Sequence, residues 1–231
     1  NISQEHLIGG VEYFDGQFDD SRLAVTLAET ATRLGAALLN HARVTSLIQK
    51  DGHVCGVEFT DNESGRSHSA GARCVINATG IFSDSIRLME NPAAAPAVRP
   101  SQGIHLVFDR SFLRGDSAVM VPHTDDGRVL FVIPWHGRVL VGTTDTPMER
   151  PDPEPRATRD EIGFVLRNAA RYLAKAPTEQ DILSVFAGQR PLVRPPGIDG
   201  APTKAISRNH EVLVSDGGLV TIVGGKWTTY R

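Results

Sequence analysis

The chain has 231 residues, 40% of them hydrophobic and 22% charged, with a formal net charge of -3. That is enough for a sizeable core in one large or two small domains, and the slightly acidic balance argues against a nucleic-acid or anionic-membrane surface. No apolar run reaches bilayer-spanning length, no signal-peptide pattern is present, and no Cys/His cluster has metal-ligand spacing.

The first element is a helix within "DDSRLAVTLAETATRLGAALL". Leu23, Leu27, Ala31, Leu34 and Leu38 recur at helical spacing, Asp19 or Asp20 can cap the N-terminus, and Gly35 supplies the stop. A strand is predicted over 37–48, a turn at 50–52, a second strand in "HVCGVEFTD", a turn at 62–65 and a third strand in "RCVINATG". These make a three-strand meander entered from an amphipathic helix. The Pro-rich stretch 91–100 is the best candidate for a domain boundary. Beyond it, "GIHLVFD", "AVMVP", "RVLFVIPW" and "RVLVGTTD" read as strands, with His136 and Gly137 as a tight turn between the last two. After a Pro-rich loop over 147–155, Thr158 and Glu161 form a Thr-x-x-Glu capping box. The helix it opens has Ile162, Val165, Leu166, Ala169 and Leu173 as its apolar face. Strands in "ILSVFAGQRPLV", "AISRNHEVLVS" and "LVTIVGG" close the chain, and hairpins outnumber crossovers, which predicts a largely antiparallel sheet. Cys55 and Cys74 each sit in a strand-like run and read as reduced core thiols.

The chemistry-bearing stretches are ambiguous one at a time. There is no G-x-G-x-x-G, and the "GGK" at 224–226 is not a phosphate loop, because Trp227 follows the lysine where Ser or Thr is required. Asn62 and Asn77 fit the glycosylation pattern, the second within a buried strand. The small residues 77–80 either let a ligand approach the backbone at a strand's carboxyl end or simply turn the chain into a helix. His105, between apolar neighbours, reads on spacing alone as a hydrogen-bonded core residue. Arg190 lies in a strand, where a guanidinium needs a fixed anion, either a carboxylate or a phosphate-bearing ligand; Lys226 raises the same question. Residues 142–145 read as a strand end with a hydroxyl-rich turn.

Taken in order, "YFDGQFDDSRL", "CVINATG", "GIHLVFD", "VLFVIPW", "LVGTTD", "GQRPLV", "ISRNHEV" and "VGGKWTTYR" resemble the middle of the FAD-dependent glycerol-3-phosphate dehydrogenases, over essentially the whole chain. The resemblance implies a mixed α/β and α+β fold of the D-amino-acid-oxidase type. A partial Rossmann-like FAD-binding domain with a β-meander is expected over 1–97, an antiparallel-sheet substrate domain over 98–214, and a return to the FAD domain over 215–231. The family's glycine fingerprint belongs upstream of Asn1 and a helical domain beyond Arg231, so the chain reads as an internal piece. The implied reaction is oxidation of sn-glycerol 3-phosphate to dihydroxyacetone phosphate, with hydride passing to FAD and electrons onward to a quinone. The implied location is cytoplasmic, peripheral to the inner membrane.

The resemblance assigns His105 and Arg190 to catalysis, His105 as the family histidine near the flavin; an imidazole, with an unperturbed pKa of about 6.5, suits a base at neutral pH. It assigns Arg190, Lys226 and Arg208 to the substrate, and Val44, Ala78, Thr79, Gly80, Gly225, Lys226, Trp227 and Thr228 to the flavin, with no metal. One departure stands out. Gln102 occupies a position where many relatives carry lysine, which puts in doubt any substrate-phosphate or base function there. Two alternatives share the fold, a glycerol-3-phosphate oxidase and an amino-acid oxidase. A third belongs to another class: a catalytically silent fragment without the fingerprint, unable to hold FAD and self-associating through uncovered apolar faces.

Overall fold

The computed structural model describes residues 2–5, 7–194 and 209–227. The chain divides into two units, Gly9–Ala95 with Asn209–Arg231 and Asn1–Ile8 with Pro96–Arg208. The opening residues therefore group with the second unit and not with the meander, because Ile2 bridges to Leu173 and the Ser3 N–H donates to the Tyr172 carbonyl at 2.8 Å.

In the first unit, helix α1 (Asp20–Arg33) starts where the Asp19 carboxylate accepts the Arg22 N–H. Its Leu23, Leu27 and Ala31 are half-buried, whereas Leu34 and Leu38 are exposed. Strand β1 (Ala42–Lys50) begins at Ala42 and not at residue 37, since His41 takes φ 54 and breaks the extended backbone. It pairs antiparallel with β2 (His53–Asp61), and β2 with β3 (Ser67–Gly71). The third meander strand is thus "SHSAG", exposed at every position and so invisible to apolar alternation. The apolar "RCVINATG" run contributes only β4 (Ile76–Asn77), in a different sheet. That sheet has the order β11 (His210–Val214), β12 (Val220–Gly224), β4, with β4 parallel to β12. Helix α2 (Ser83–Glu90) packs on β1 and β12. Both cysteines are free, but Cys74 is exposed, so only the half-buried Cys55 approaches the expected core thiol.

The second unit is built on β5 (Val98–Asp109), with β6 (Val119–Val121), β7 (Leu130–Trp135), β8 (Arg138–Gly142), β9 (Thr146–Pro147) and β10 (Ser184–Val193). The sheet runs β10-β5-β8-β7-β6, every pair antiparallel, and β9 pairs with β5. Helix α3 (Arg159–Ala170) opens with the Thr158/Glu161 capping box and packs across β5, β7 and β8. Ile104, Leu106 and Phe108 of β5 meet Leu130, Val132, Val139 and Val141 of the sheet and Val165 and Ala169 of α3, all fully buried. At roughly 1.5–3 kcal/mol per buried Ile, Leu, Val or Phe side chain, this face holds the unit together. The opposite face stays open. Register places Phe186, His105, Gly142, Phe131 and Met120 in one cross-strand row there, and Phe186, Phe131 and Met120 are substantially exposed. Among the described residues no helix is long and apolar enough to cross a membrane.

Candidate active site

Strand alternation sorts the side chains of β5 between the two faces. Gln102 shares the core face with Ile104, while Gly103 and His105 lie on the open face. On β10, Gly188 pairs with Gly103. The Arg190 guanidinium lies over Gly103: a Cβ there would stand 2.4 Å from Nη2 and 2.6 Å from Nη1. Only glycine leaves that space. The guanidinium donates through Nη1 to the Thr144 carbonyl at 3.2 Å and through Nη2 to the Thr143 hydroxyl at 3.1 Å. Both acceptors are neutral, so they orient the cation in its plane.

His105 is the next residue along this face. Its imidazole lies against Gly142, where a Cβ would meet Cδ2 at 2.4 Å, and stacks on Phe186 with ring centroids 5.2 Å apart and 12° between planes. Burial first, and the Arg190 charge second, push its pKa down from 6.5 to about 4. The ordinary imidazole value therefore does not hold, and the ring is neutral at pH 7. A neutral imidazole has one nitrogen able to accept a proton. The face thus sets a proton acceptor beside a fixed planar cation, over a floor of Gly103, Gly142 and Gly188 that carries no side chains.

Gln102 takes no part in this face. Its amide donates at 2.9 Å to both Glu161 Oε2 and the Arg156 carbonyl, and it is 1% exposed. A lysine or a glutamine here points away from Arg190 and His105, so the departure noted in the sequence does not alter the open face. Thr143, Thr144, Gly103 and Phe186 are the residues that sequence reading passed over. Only the paired threonines left a trace, as a hydroxyl-rich turn.

The first unit carries a separate feature at the carboxyl ends of the parallel strands β4 and β12. Asn77 is buried and ties the two together: Nδ2 donates to the Ser83 carbonyl at 2.9 Å and to the Thr221 hydroxyl at 3.3 Å, while Oδ1 accepts the Thr79 hydroxyl at 2.7 Å. Its amide is therefore fully engaged, and the glycosylation pattern there is a chance match. Ala78 and Thr79 are exposed and Gly80 is half-buried. Gly225 is half-buried, and Lys226 and Trp227 are exposed. Val44 lies in the other sheet, opposite Phe59 on β2. Arg208 and Thr228 lie outside the described residues.

Residues 2–231 match the family described as FAD dependent oxidoreductase. The chain belongs to that family. Among its relatives is a mitochondrial glycerol-3-phosphate dehydrogenase of Macaca fascicularis, 40% identical over 238 residues, covering 100% of this chain and 32% of that protein. The mitochondrial glycerol-3-phosphate dehydrogenase SDP6 of Arabidopsis thaliana is 44% identical over 230 residues, 98% of this chain and 36% of that one. The crystal structure of a glycerol-3-phosphate dehydrogenase from Bacillus halodurans complexed with FAD superposes with a TM-score of 0.81 at 33% identity, covering 92% of this chain and 40% of that one. The chain thus spans about a third of the length of the curated relatives it matches.

The residues of an FAD-dependent oxidoreductase must let backbone approach a large flat cofactor, and the strand ends of the first unit meet that need. Gly80 has φ +58 with nothing within 4 Å of a would-be Cβ, and Gly225 has φ +90 with only His210 Cβ at 3.5 Å. Both sit at the carboxyl ends of parallel strands, where open α/β sheets take their ligands.

Proposed function

We propose that the protein is an FAD-dependent dehydrogenase that oxidises sn-glycerol 3-phosphate to dihydroxyacetone phosphate. The observation that carries this reading is the Arg190 guanidinium laid over Gly103 on the same sheet face as a neutral His105. Identity of 40% and 44% to glycerol-3-phosphate dehydrogenases across almost the whole chain supports the choice of substrate.

Arg190 binds the phosphate by paired N–H donors, a geometry an ammonium cannot offer. His105 accepts the proton of the secondary hydroxyl on its free imidazole nitrogen. An imidazolium beside the Arg190 guanidinium is disfavoured by like charge, and a phosphate dianion seated on Arg190 offsets that repulsion. Substrate binding and base strength are in this way linked through one cation. Ala78, Thr79, Gly80, Gly225, Lys226 and Trp227 hold FAD. When bound, FAD supplies the hydride acceptor and passes the electrons on, on this reading to a quinone, with the protein peripheral to the inner membrane.

The test is turnover of sn-glycerol 3-phosphate by the full-length, FAD-loaded protein with a dye acceptor. Turnover is expected, and Arg190→Ala is expected to raise KM far more than it lowers kcat. Absence of turnover, or an Arg190→Ala enzyme with unchanged KM, would overturn the proposal.

A further inference from the structure

We propose that Glu161 is the positioning residue for Arg190, holding from the core face of the sheet the segment whose carbonyl fixes the guanidinium. The inference rests on the reading of Arg190 as the phosphate ligand.

Glu161 is on the first turn of α3, where a capping-box glutamate normally returns one hydrogen bond to the N-cap backbone. Here it does so, accepting the Thr158 N–H at 2.9 Å. Its carboxylate also accepts Thr158 Oγ1 at 3.1 Å, Gln102 Nε2 at 2.9 Å, Thr144 Oγ1 at 3.1 Å and Thr146 Oγ1 at 2.7 Å. A carboxylate has about four lone-pair sites, so these donors saturate it. The residue is 4% exposed. Burial alone would raise its pKa, but the Thr158 backbone, Thr146, Gln102 and Thr144 donors outweigh burial and hold it below the usual range, so the carboxylate is the charged form.

Capping does not require three of these bonds. Gln102 belongs to β5, and Thr144 and Thr146 lie between β8 and the end of β9. Thr144 is the hinge between the two faces. Its hydroxyl donates to Glu161 Oε1 and accepts the Ile104 N–H at 3.1 Å, while its carbonyl accepts Arg190 Nη1 at 3.2 Å. One residue therefore separates the buried carboxylate from the guanidinium, and Ile104, flanked by Gly103 and His105, is held by the same hydroxyl. A glutamine at 161 could still serve the cap, since capping boxes use Glu or Gln alike. It could not accept from every one of the donors now gathered on the carboxylate, because its NH2 group accepts nothing.

That difference separates a cap from a positioning residue. In the full-length, FAD-loaded protein, Glu161→Gln is expected to raise the KM for sn-glycerol 3-phosphate and the Ki of inorganic phosphate together, each about tenfold, the equivalent of one weakened hydrogen bond to a charged group. The kcat changes little. Thr144→Val, which removes only the linking hydroxyl, does the same, and Thr144→Ser restores both constants. Val165→Ala, a fully buried residue of the same helix, serves as the stability control: it lowers Tm with KM and Ki unchanged. If Glu161→Gln does not fold, the Thr144→Val and Thr144→Ser pair decides. Unchanged KM and Ki in the Glu161 and Thr144 variants, or an equal rise in Val165→Ala, overturns the inference. A wild-type enzyme that does not turn over glycerol 3-phosphate defeats the functional reading instead, and phosphate binding followed by flavin absorbance then still tests Glu161.

Discussion

Gly103→Ala is the sharpest test of the open-face geometry, because the perturbation is a single methyl group aimed at one guanidinium. The new Cβ would stand 2.4 Å from Arg190 Nη2, 2.6 Å from Nη1 and 2.6 Å from Thr143 Oγ1. Non-bonded heavy atoms rest at about 3.5 Å, so the guanidinium must retreat by about 1 Å. A retreat of that size breaks its bonds to the Thr144 carbonyl and the Thr143 hydroxyl, now 3.2 and 3.1 Å. Each bond to a charged group is worth about 1.5–3 kcal/mol, and losing the position of one of them raises KM by about 10- to 100-fold. The backbone at Gly103 lies in the extended strand β5, so alanine adds no conformational strain. Gly188, paired directly with Gly103, provides the contrast: a Cβ there meets nothing within 4 Å, so Gly188→Ala leaves Arg190 in place. Steady-state kinetics of the full-length, FAD-loaded enzyme with a dye acceptor, alongside thermal melts, gives the answer. A Gly103→Ala enzyme with wild-type KM and Tm would show that the guanidinium does not cover residue 103, and the site as described would fall.

Two further outcomes are expected. The folded His105 pKa of about 4 lies below its ordinary 6.5, so the native state resists a proton that the unfolded chain accepts. Stability is therefore fully present above pH 6.5 and falls as pH drops from 6.5 towards 4, by at most about 3.5 kcal/mol at 1.36 kcal/mol per unit; denaturant unfolding of wild type and His105→Gln at pH 7 and 4.5 should differ in slope with pH, and parallel curves would refute the shift. Asn77→Ala removes the amide that satisfies the buried Ser83 carbonyl and Thr221 hydroxyl, which should cost about 1–3 kcal/mol and loosen FAD retention in the full-length protein; an unchanged urea midpoint would count against the role given to Asn77.

Local elements were legible because their causes are local. The Asp19 cap, the Thr158/Glu161 box and the apolar stripe through Val165 and Ala169 are short-range patterns, and each appears where spacing placed it. The failures have physical reasons too. β3 is exposed at every position, so no alternation marked it, and β4 lies in an apolar run but pairs for only two residues with a strand that lies far along the chain. The lowering of the His105 pKa leaves no mark in the sequence, because burial and a charge from position 190 act through space.

The sequence by itself determined which residues could carry chemistry: an arginine inside a strand, a histidine among apolar neighbours, small residues at strand ends. It also determined the family, through the order of its motifs. Only the tertiary structure decided which of these residues lie on one face. Register brings Arg190 over Gly103, Phe186 onto His105, and Thr144 between Glu161 and Arg190. It also turns Gln102 to the opposite face, towards α3. A one-residue slip in a strand exchanges its faces, and that register is set by pairing between residues far apart in the chain, which no short stretch of sequence records.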